Sequence, residues 1–279
     1  MTVDVTPRVE TFLAEYSDDH MIARYISRTA GAGVVYALTN IYAPVYSRVI
    51  DALMSQRPEK HKFRILEYGC GGGMNLLKIL ELLFARGADV ELGVGADFSS
   101  RMIQAAREDA RVNFPPHLAS KIQFVVARNE TLAGDVAASM DCSVAEVERS
   151  FDIVVGVNTF RYCHRLKKEL DCAKDIFRLL RPGGYSVMID MNAAFPLFRS
   201  RLPDMIRRPG PEAYLPRVAE YRRPFELAGL KIIEVRNFCW VPHSATPRMV
   251  TVCKTLAPAL DRWLSPFAMR SLVVAERAD

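Results

Sequence analysis

The residues best suited to chemistry lie in a glycine-rich turn, where an acid precedes glycines at alternate positions: Glu67, Gly69, Gly71 and Gly73. The apolar run before the turn predicts a buried strand, and the residues after it have helical periodicity. Glycines in such a turn let the backbone reverse tightly and let a ligand approach the main chain. An NAD-binding fingerprint would need a further glycine at position 74, where this chain has Met74. The turn therefore departs from the NAD-binding pattern.

Polar side chains also follow the next predicted strands. Asp97 ends the second strand, and a carboxylate at that position can accept hydrogen bonds from both hydroxyls of a ribose. Ser99 or Ser100 then caps the following helix. Asn158 follows the fourth strand, and ligands of open α/β sheets bind outside the carboxyl ends of the strands. These positions predict a ligand that lies across several strand ends.

Together these motifs resemble the class I S-adenosylmethionine (SAM)-dependent methyltransferases. The segments SSRMIQAAR, FDIVV and LRPGGY each resemble a motif of that family, and the resemblance covers about residues 63–191. It implies that the glycine turn wraps the amino-acid end of SAM, that Glu67 helps to hold the amino group and that Asp97 binds the ribose. The family usually has an acid after the third strand. Here Asn129 could accept the adenine amine through its side-chain oxygen, with Glu130 as the second choice.

The resemblance thus implies SAM as the cofactor, bound by residues in and after four strands. These residues are Glu67, Gly69, Cys70, Gly71, Gly73, Asn75, Asp97, Phe98, Met102, Asn129, Glu130 and Asn158. No metal site is predicted, because the six cysteines are dispersed, with no CxxC and no paired spacing with histidine.

Methyl transfer from a sulfonium is an in-line displacement, so an enzyme contributes mainly proximity and alignment. A general base is needed only when the acceptor must lose a proton. His164 and Tyr162 are the predicted catalytic residues, because they follow Asn158 closely, although His164 can equally be a surface or capping histidine. The residues just before Tyr162, which are Thr159, Phe160 and Arg161, are predicted to contact the substrate.

Aromatic residues crowd the two segments expected to close the pocket. They are Phe12, Tyr16, Tyr25, Tyr36 and Tyr42 in front, then Phe195, Phe198 and Tyr214 in an inserted lid. We expect Tyr16, Tyr25, Phe195 and Phe198 to contact the acceptor, and such a pocket suits a small, largely apolar, natural-product-like molecule. Aromatic faces would stabilise the cation formed when an alkene carbon is methylated. In this respect the chain is similar to the sterol and terpenoid C-methyltransferases. C-methylation of an isoprenoid or aromatic compound and O- or N-methylation of a small molecule both stay open.

A basic run leaves two further classes of protein open. Seven arginines fall between Arg199 and Arg223, and an RNA methyltransferase would use them to bind phosphates. The run is interrupted by prolines and no RNA-binding module is recognisable, so no nucleic-acid partner is expected. A SAM-binding domain without catalytic activity is the other alternative, because a fold does not fix a function.

The elements that must position these residues alternate between strand and helix. The predicted strands are Phe63–Tyr68, Val90–Phe98, Ile122–Ala127, Phe151–Val157, Tyr185–Met191, Lys231–Trp240 and Arg270–Arg277. This order predicts an α/β fold with a Rossmann-like, doubly wound, seven-stranded sheet that is mostly parallel, with its last strand antiparallel. Residues 1–60 are predicted to form a helical N-terminal cap. Residues 61–279 are predicted to form the SAM-binding domain, with a substrate lid inserted at about 192–215.

The composition is that of a globular protein, since the 279 residues are 50% hydrophobic and 25% charged. No apolar run is long enough to span a membrane, and the N-terminus lacks a basic start followed by an apolar stretch. With the dispersed cysteines, these features predict a cytoplasmic protein. Its expected partner is a small-molecule substrate, and the oligomeric state stays open, with the N-terminal helices as the candidate contact of a homo-oligomer.

Overall fold

The computed structural model describes residues 22–23, 25–60, 62–199 and 215–278 of the chain. The strands are β1 (Lys62–Tyr68), β2 (Asp89–Asp97), β3 (Ile122–Val126), β4 (Phe151–Val157), β5 (Leu180–Met191), β6 (Lys231–Phe238) and β7 (Arg270–Glu276). They form one seven-stranded sheet in the order β3-β2-β1-β4-β5-β7-β6. Strands β1 to β5 pair in parallel, whereas β7 is antiparallel to both β5 and β6. The predicted fold class is confirmed.

Helices connect the strands and cover both faces of the sheet. They are α1 (Ala32–Tyr36), α2 (Ala43–Gln56), α3 (Met74–Phe84), α4 (Ser100–Asn113), α5 (Pro116–Ala119), α6 (Leu132–Ser139), α7 (Val144–Val147), α8 (Phe160–Arg165), α9 (Glu169–Leu179), α10 (Pro196–Arg199), α11 (Val218–Leu227) and α12 (Pro247–Leu264). Residues Ala37–Tyr42 join α1 to α2 as a π-helix. Because both faces are covered, the central strands are apolar along their length, and β4 is buried at every residue but its last.

The N-terminal part of the chain packs on one face of the sheet through α2. Its buried residues Val45, Tyr46, Ile50 and Leu53 lie in the same hydrophobic cluster as residues of β1, β4 and β5. Residues 1–21 of the predicted cap and 200–214 of the predicted lid lie outside the described residues.

The reversed direction of β7 has a consequence for the edge of the sheet. Its first residue, Arg270, pairs with Met191, which is the last residue of β5. Arg270 therefore lies at the edge where the parallel strands end, although it begins its own strand.

Helix α12 and the start of β5 are two of the places where the structure differs from the sequence-based prediction. Helix α12 was not predicted, because Pro258 lies inside it and a proline usually ends a helix. Strand β5 begins at Leu180 rather than Tyr185, since the backbone before the Pro-Gly-Gly turn is already extended and Leu180 pairs with Phe151. None of the described helices is both long and apolar enough to cross a membrane.

Candidate active site

A pocket opens at the carboxyl ends of β1, β2 and β4, where open α/β sheets bind ligands. It is lined by Tyr25, Val34, Leu38, Tyr42, Gly69, Cys70, Gly71, Met74, Asn75, Asp97, Phe98, Met102, Arg128, Asn129, Glu130, Val157, Asn158, Thr159, Tyr162, Cys163, Leu166 and His243. Ten of the twelve predicted cofactor-binding residues are in this lining, and only Glu67 and Gly73 are not. The structure therefore brings together predicted cofactor residues that are up to 89 positions apart, from Gly69 to Asn158.

The glycine turn forms the floor of the pocket and is held by the N-terminal segment. The Gly72 N–H donates a hydrogen bond to the Tyr25 carbonyl oxygen at 3.0 Å. Gly69 has a φ of 60°, and an added Cβ would overlap the side chain of Thr159, which follows β4. A glycine at this position lets the turn pass close to the end of β4.

The two predicted cofactor residues outside the lining support the turn from behind. Gly73 precedes α3 with a φ of 75°, and an added Cβ would lie 2.7 Å from the ring of Phe124. Glu67 is 1% exposed, and its two carboxyl oxygens accept hydrogen bonds from Asn75 Nδ2 and Leu76 N, each at 2.9 Å. Glu67 thus fixes the start of α3, so that any effect on a ligand passes through Asn75.

Burial changes the protonation of this acid. It raises the pKa of Glu67 to about 8, against the hydrogen bonds from Asn75 and Leu76 that favour the charged form. Asn75 lines the pocket and is also bound from the other side, where the Tyr46 hydroxyl donates to its Oδ1 at 2.9 Å. The predicted role of Glu67 at the amino group of SAM stays a prediction.

Asp97 presents a carboxylate at the end of β2 and is 7% exposed. Its Oδ2 accepts a hydrogen bond from Gly71 N at 3.1 Å, and its Oδ1 accepts one from Ser99 N at 3.0 Å. Burial raises the pKa of Asp97, whereas these two hydrogen bonds lower it. Each oxygen keeps a further lone pair, so the carboxylate can also accept two hydroxyl groups of a ligand in the pocket.

Asn129 presents an acceptor after β3. Its Nδ2 donates to Thr159 Oγ1 at 2.7 Å, which leaves the side-chain oxygen as an acceptor. Glu130 also lines the pocket beside it. This arrangement fits the predicted contact with an adenine amine.

The remaining wall is largely apolar and comes from the N-terminal segment, from the end of β4 and from α8 with the residue that follows it. Its members are Val34, Leu38, Tyr42, Val157, Tyr162, Cys163 and Leu166. The π-helix contributes both Leu38 and Tyr42 to this wall, in agreement with the frequent use of π-helical turns at functional sites. The predicted residues Tyr25, Thr159 and Tyr162 therefore face the pocket.

His243 is a titratable pocket residue that the sequence analysis missed. Its Nε2 lies 3.0 Å from the Tyr42 hydroxyl oxygen. Burial, together with the charges of Arg270 and Arg161, holds the pKa of His243 well below its usual range. The imidazole is therefore uncharged at neutral pH. His243 follows β6 by only a few residues, so the rule that ligands bind beyond strand ends could have found it.

Other predicted residues lie away from the pocket. His164 does not line it, and its Nδ1 is 3.3 Å from the carboxylate of Glu169. Phe160 is buried and stacks on Phe225 with ring centroids 4.9 Å apart. As the first residue of α8, Phe160 turns its ring into the core rather than toward a ligand.

Three further predicted substrate contacts, Arg161, Phe195 and Phe198, also lie away from the pocket lining. Arg161 donates its backbone N–H to Asp190 at 3.0 Å and is not in the lining. Phe195 packs against Phe198, with ring centroids 4.9 Å apart, and neither ring reaches the pocket wall. Tyr16 lies outside the described residues.

The residues present fit SAM, the cofactor that this fold implies. The glycine turn has no room for a Cβ at Gly69, and Asp97 and Asn129 offer the acceptors that a ribose and an adenine amine need. No group of three or more metal-binding side chains occurs among the residues that the structure describes.

Comparison with known proteins places these features in context. The family model described as "Methyltransferase domain" matches residues 59–214, which is more than half of the chain. A curated relative, the hybrid PKS-NRPS synthetase poxE of Penicillium oxalicum, is 24% identical over 190 residues. The alignment spans 68% of this chain but only 4% of that synthetase.

Two solved structures have a similar fold over the whole chain. The CurJ carbon methyltransferase aligns with a TM-score of 0.55 and 13% identity, covering 100% of this chain and 72% of the other. The CMeT domain of the citrinin polyketide synthase aligns with a TM-score of 0.53 and 17% identity, covering 100% and 71%. At these identities the likeness concerns the fold.

Proposed function

Because the chain belongs to the methyltransferase domain family, we propose that it transfers the methyl group of SAM to a small, largely apolar acceptor. The family match confirms the predicted enzyme class, and the fold is that of SAM-dependent methyltransferases. The choice of acceptor is the part that we propose.

The observation that carries this proposal is the division of the pocket lining into two parts. Asp97 and Asn129 at the strand ends, together with Asn75 in the first turn of α3, are polar and fit the nucleoside and amino-acid portions of SAM. Residues from the N-terminal segment, such as Val34 and Leu38, are apolar. Small-molecule sites typically combine an apolar wall with a few placed polar groups.

The residues of the chain act mainly by alignment. SAM supplies the electrophilic methyl group when it is bound. The glycine turn and Asp97 hold the cofactor in one orientation, and the apolar wall excludes water from the acceptor side. Where the acceptor must lose a proton, we propose that His243 accepts it, because its uncharged imidazole lies in the pocket lining, although burial makes it a weaker base than an exposed imidazole.

Calorimetry with S-adenosylhomocysteine (SAH), NAD and a short RNA tests the cofactor site. We expect SAH to bind, and NAD and RNA not to bind. In Asp97→Ala the loss of two charge-assisted hydrogen bonds, at about 1.5–3 kcal/mol each, should weaken SAH binding roughly 100-fold or more. Glu146→Ala is a matched control, because Glu146 accepts a backbone hydrogen bond from Ser143 at 2.8 Å away from the pocket. Unchanged SAH affinity in Asp97→Ala would contradict the site assignment, and RNA binding alone would favour an RNA methyltransferase.

The acceptor itself requires a screen. The similar proteins are a PKS-NRPS synthetase and carbon methyltransferase domains. From this similarity we propose that the acceptor of this chain is natural-product-like and is methylated at carbon. Incubation with SAM labelled in its methyl group, followed by NMR of the products, separates C-, O- and N-methylation. Transfer to amines alone would refute carbon as the methylated atom. SAH binding without transfer to isoprenoid, carbonyl, phenolic or amine acceptors would favour a non-catalytic SAM-binding domain.

A further inference from the structure

An arginine lies buried behind the apolar wall of the pocket, where the proposed function assigns it no role. Arg270 is the first residue of β7 and is 4% exposed. Among the described residues, no carboxylate oxygen forms a salt bridge with its guanidinium, and its buried Nε has no hydrogen-bond partner. A buried charge without an opposite charge in contact is costly, so such a group points to a ligand that supplies one.

The polar partners of Arg270 are two residues of the pocket lining. Its Nη1 donates to Asn158 Oδ1 at 2.5 Å, and the guanidinium also hydrogen-bonds the Tyr42 phenol. Since Arg270 occupies the side-chain oxygen of Asn158, the amide N–H groups of Asn158 are left to face a ligand. Asn158 has a φ of 58°, a left-handed conformation that asparagine tolerates and that is often found at functional sites.

Charged and titratable groups from five segments of the chain surround the contact between Arg270 and Asn158. They are Tyr42 on the π-helix, Arg161 on α8, Asp190 on β5, Cys239 and His243 after β6, and Arg270 on β7. Asp190 is a buried acid whose pKa the charge of Arg270 lowers, and it is already bound by Arg161 Nη1 at 3.5 Å and by the backbone N–H groups of Arg161 and Met191. The charge of Arg270 is therefore not matched by a carboxylate of its own.

We propose that Asn158, oriented by Arg270, binds an oxyanion of the acceptor, so that the enzyme methylates molecules that react as enolates or phenolates. This inference rests on the proposed function and specifies its acceptor class. It predicts a carbonyl compound with an acidic C–H group, or a phenol, rather than an alkene or an amine.

The step balances without a further reagent. The acceptor gives its C–H or O–H proton to the uncharged His243 imidazole, and the negative charge moves to the oxygen held by Asn158. The electron pair of the acceptor then forms the new bond to the methyl carbon, while the carbon–sulfur bond breaks and its electron pair stays on sulfur. His243 finally releases the proton to water. The oxyanion also offsets the repulsion between the imidazolium and Arg270, so that proton transfer and anion binding support each other.

The test uses 4-nitrophenol as a probe, because the absorbance of its anion reports ionisation directly. The probe is titrated with the full chain, with and without saturating SAH, across a range of pH. An oxyanion site should lower the pKa of the bound phenol by at least one unit, which means a tenfold increase in the ionised fraction on the acidic side of its titration. A bound phenol with an unchanged or raised pKa, or no saturable binding at all, would overturn the proposal.

Two variants separate the proposed role from a structural one. Asn158→Asp keeps the shape and the contact with Arg270, but it removes the amide donor and adds an opposite charge. It should abolish the lowering of the phenol pKa, both without SAH and at an SAH concentration that saturates the variant, because Asn158 is also a predicted cofactor-binding residue. Arg270→Gln should do the same where it folds, and Arg236→Gln, which removes an exposed arginine of β6, should behave like the wild type. Persistence of the lowered phenol pKa in Asn158→Asp would also overturn the proposal.

The failure of the proposed function is distinguishable from the failure of this inference. Absence of SAH binding refutes the cofactor site, whatever the probe does. SAH binding with no change in the ionisation of the phenol refutes only the oxyanion site.

Discussion

Replacing Glu67 by glutamine should change how the stability of the protein depends on pH. The carboxyl group lies beneath the glycine turn and is 1% exposed, and burial raises its pKa to about 8. In the unfolded chain its pKa returns to the ordinary value of 4.5. Between these two values the folded state therefore holds a proton that the unfolded state has released.

The size of the effect follows from the difference between the two pKa values. Stability that is fully present below about pH 4.5 is lost as the pH rises to 8, because only the unfolded state ionises freely in that interval. The difference of about 3.5 units corresponds to about 5 kcal/mol, at about 1.4 kcal/mol per unit. This is comparable with the whole free energy of unfolding of a typical domain, about 5–15 kcal/mol.

Urea unfolding of the ligand-free protein at half-unit steps from pH 5 to 8.5 measures this dependence. Glutamine cannot ionise, and Asn75 can turn its side-chain amide to match it. The variant should therefore gain about 1.4 kcal/mol relative to the wild type for each pH unit up to 8, and the gain should level off above. Subtracting the two curves removes the contributions of the other buried acids, Asp97 and Asp190, because both proteins contain them.

Parallel stability curves for the wild type and Glu67→Gln would refute this reasoning, since they would mean that Glu67 titrates alike in both states. Glu91→Gln is the control for removing a carboxyl group from the same sheet, because the Glu91 side chain is 49% exposed on β2. If the stability gained by Glu91→Gln relative to the wild type rises with pH as steeply as that gained by Glu67→Gln, burial of the carboxyl group is not the cause of the effect.

Two further substitutions test the turn and its cover. Gly69→Ala should destabilise the protein by at least about 2 kcal/mol more than Gly87→Ala. Both positions have a positive φ, but only at Gly69 would the added methyl group overlap Thr159. Chemical denaturation of both variants measures the loss of stability, and equal losses would contradict this prediction. Ser27→Ala removes a hydroxyl that donates to Asp109 Oδ2 at 2.6 Å and so loosens the segment over the glycine turn. SAH should dissociate several-fold faster from it in stopped-flow measurements, and an unchanged rate would mean that this segment does not cover the ligand.

The fold was predictable because most of its elements follow local rules. Strands such as β4, buried on both faces, read as continuous apolar runs, and Ser99 marks the start of α4. Helix α12 escaped prediction because it contains Pro258, which usually ends a helix, and because none of its residues is fully buried.

The cofactor side of the site was more predictable than the acceptor side. Asp97 is the last residue of β2 and Asn129 follows β3 closely, so that a short motif fixes the position of each. The acceptor side depends on contacts between distant segments, such as that between Tyr42 and His243, which are 201 positions apart. His164 attracted the prediction by its closeness to Asn158 in sequence, but in space its imidazole lies beside Glu169.

Because the reversed strand β7 is the last strand of the sheet to be synthesised, the sheet is completed only when β7 has emerged. β7 follows β6 in sequence but inserts between β5 and β6, so β6 has no strand to pair with until β7 arrives. A nascent chain that has emerged only as far as β6 already contains the glycine turn, Asp97 and Asn129, yet it lacks Arg270 at the acceptor side. The ability to bind the cofactor should therefore precede methyl transfer during synthesis, and ribosome-bound chains of increasing length should acquire the two properties in that order.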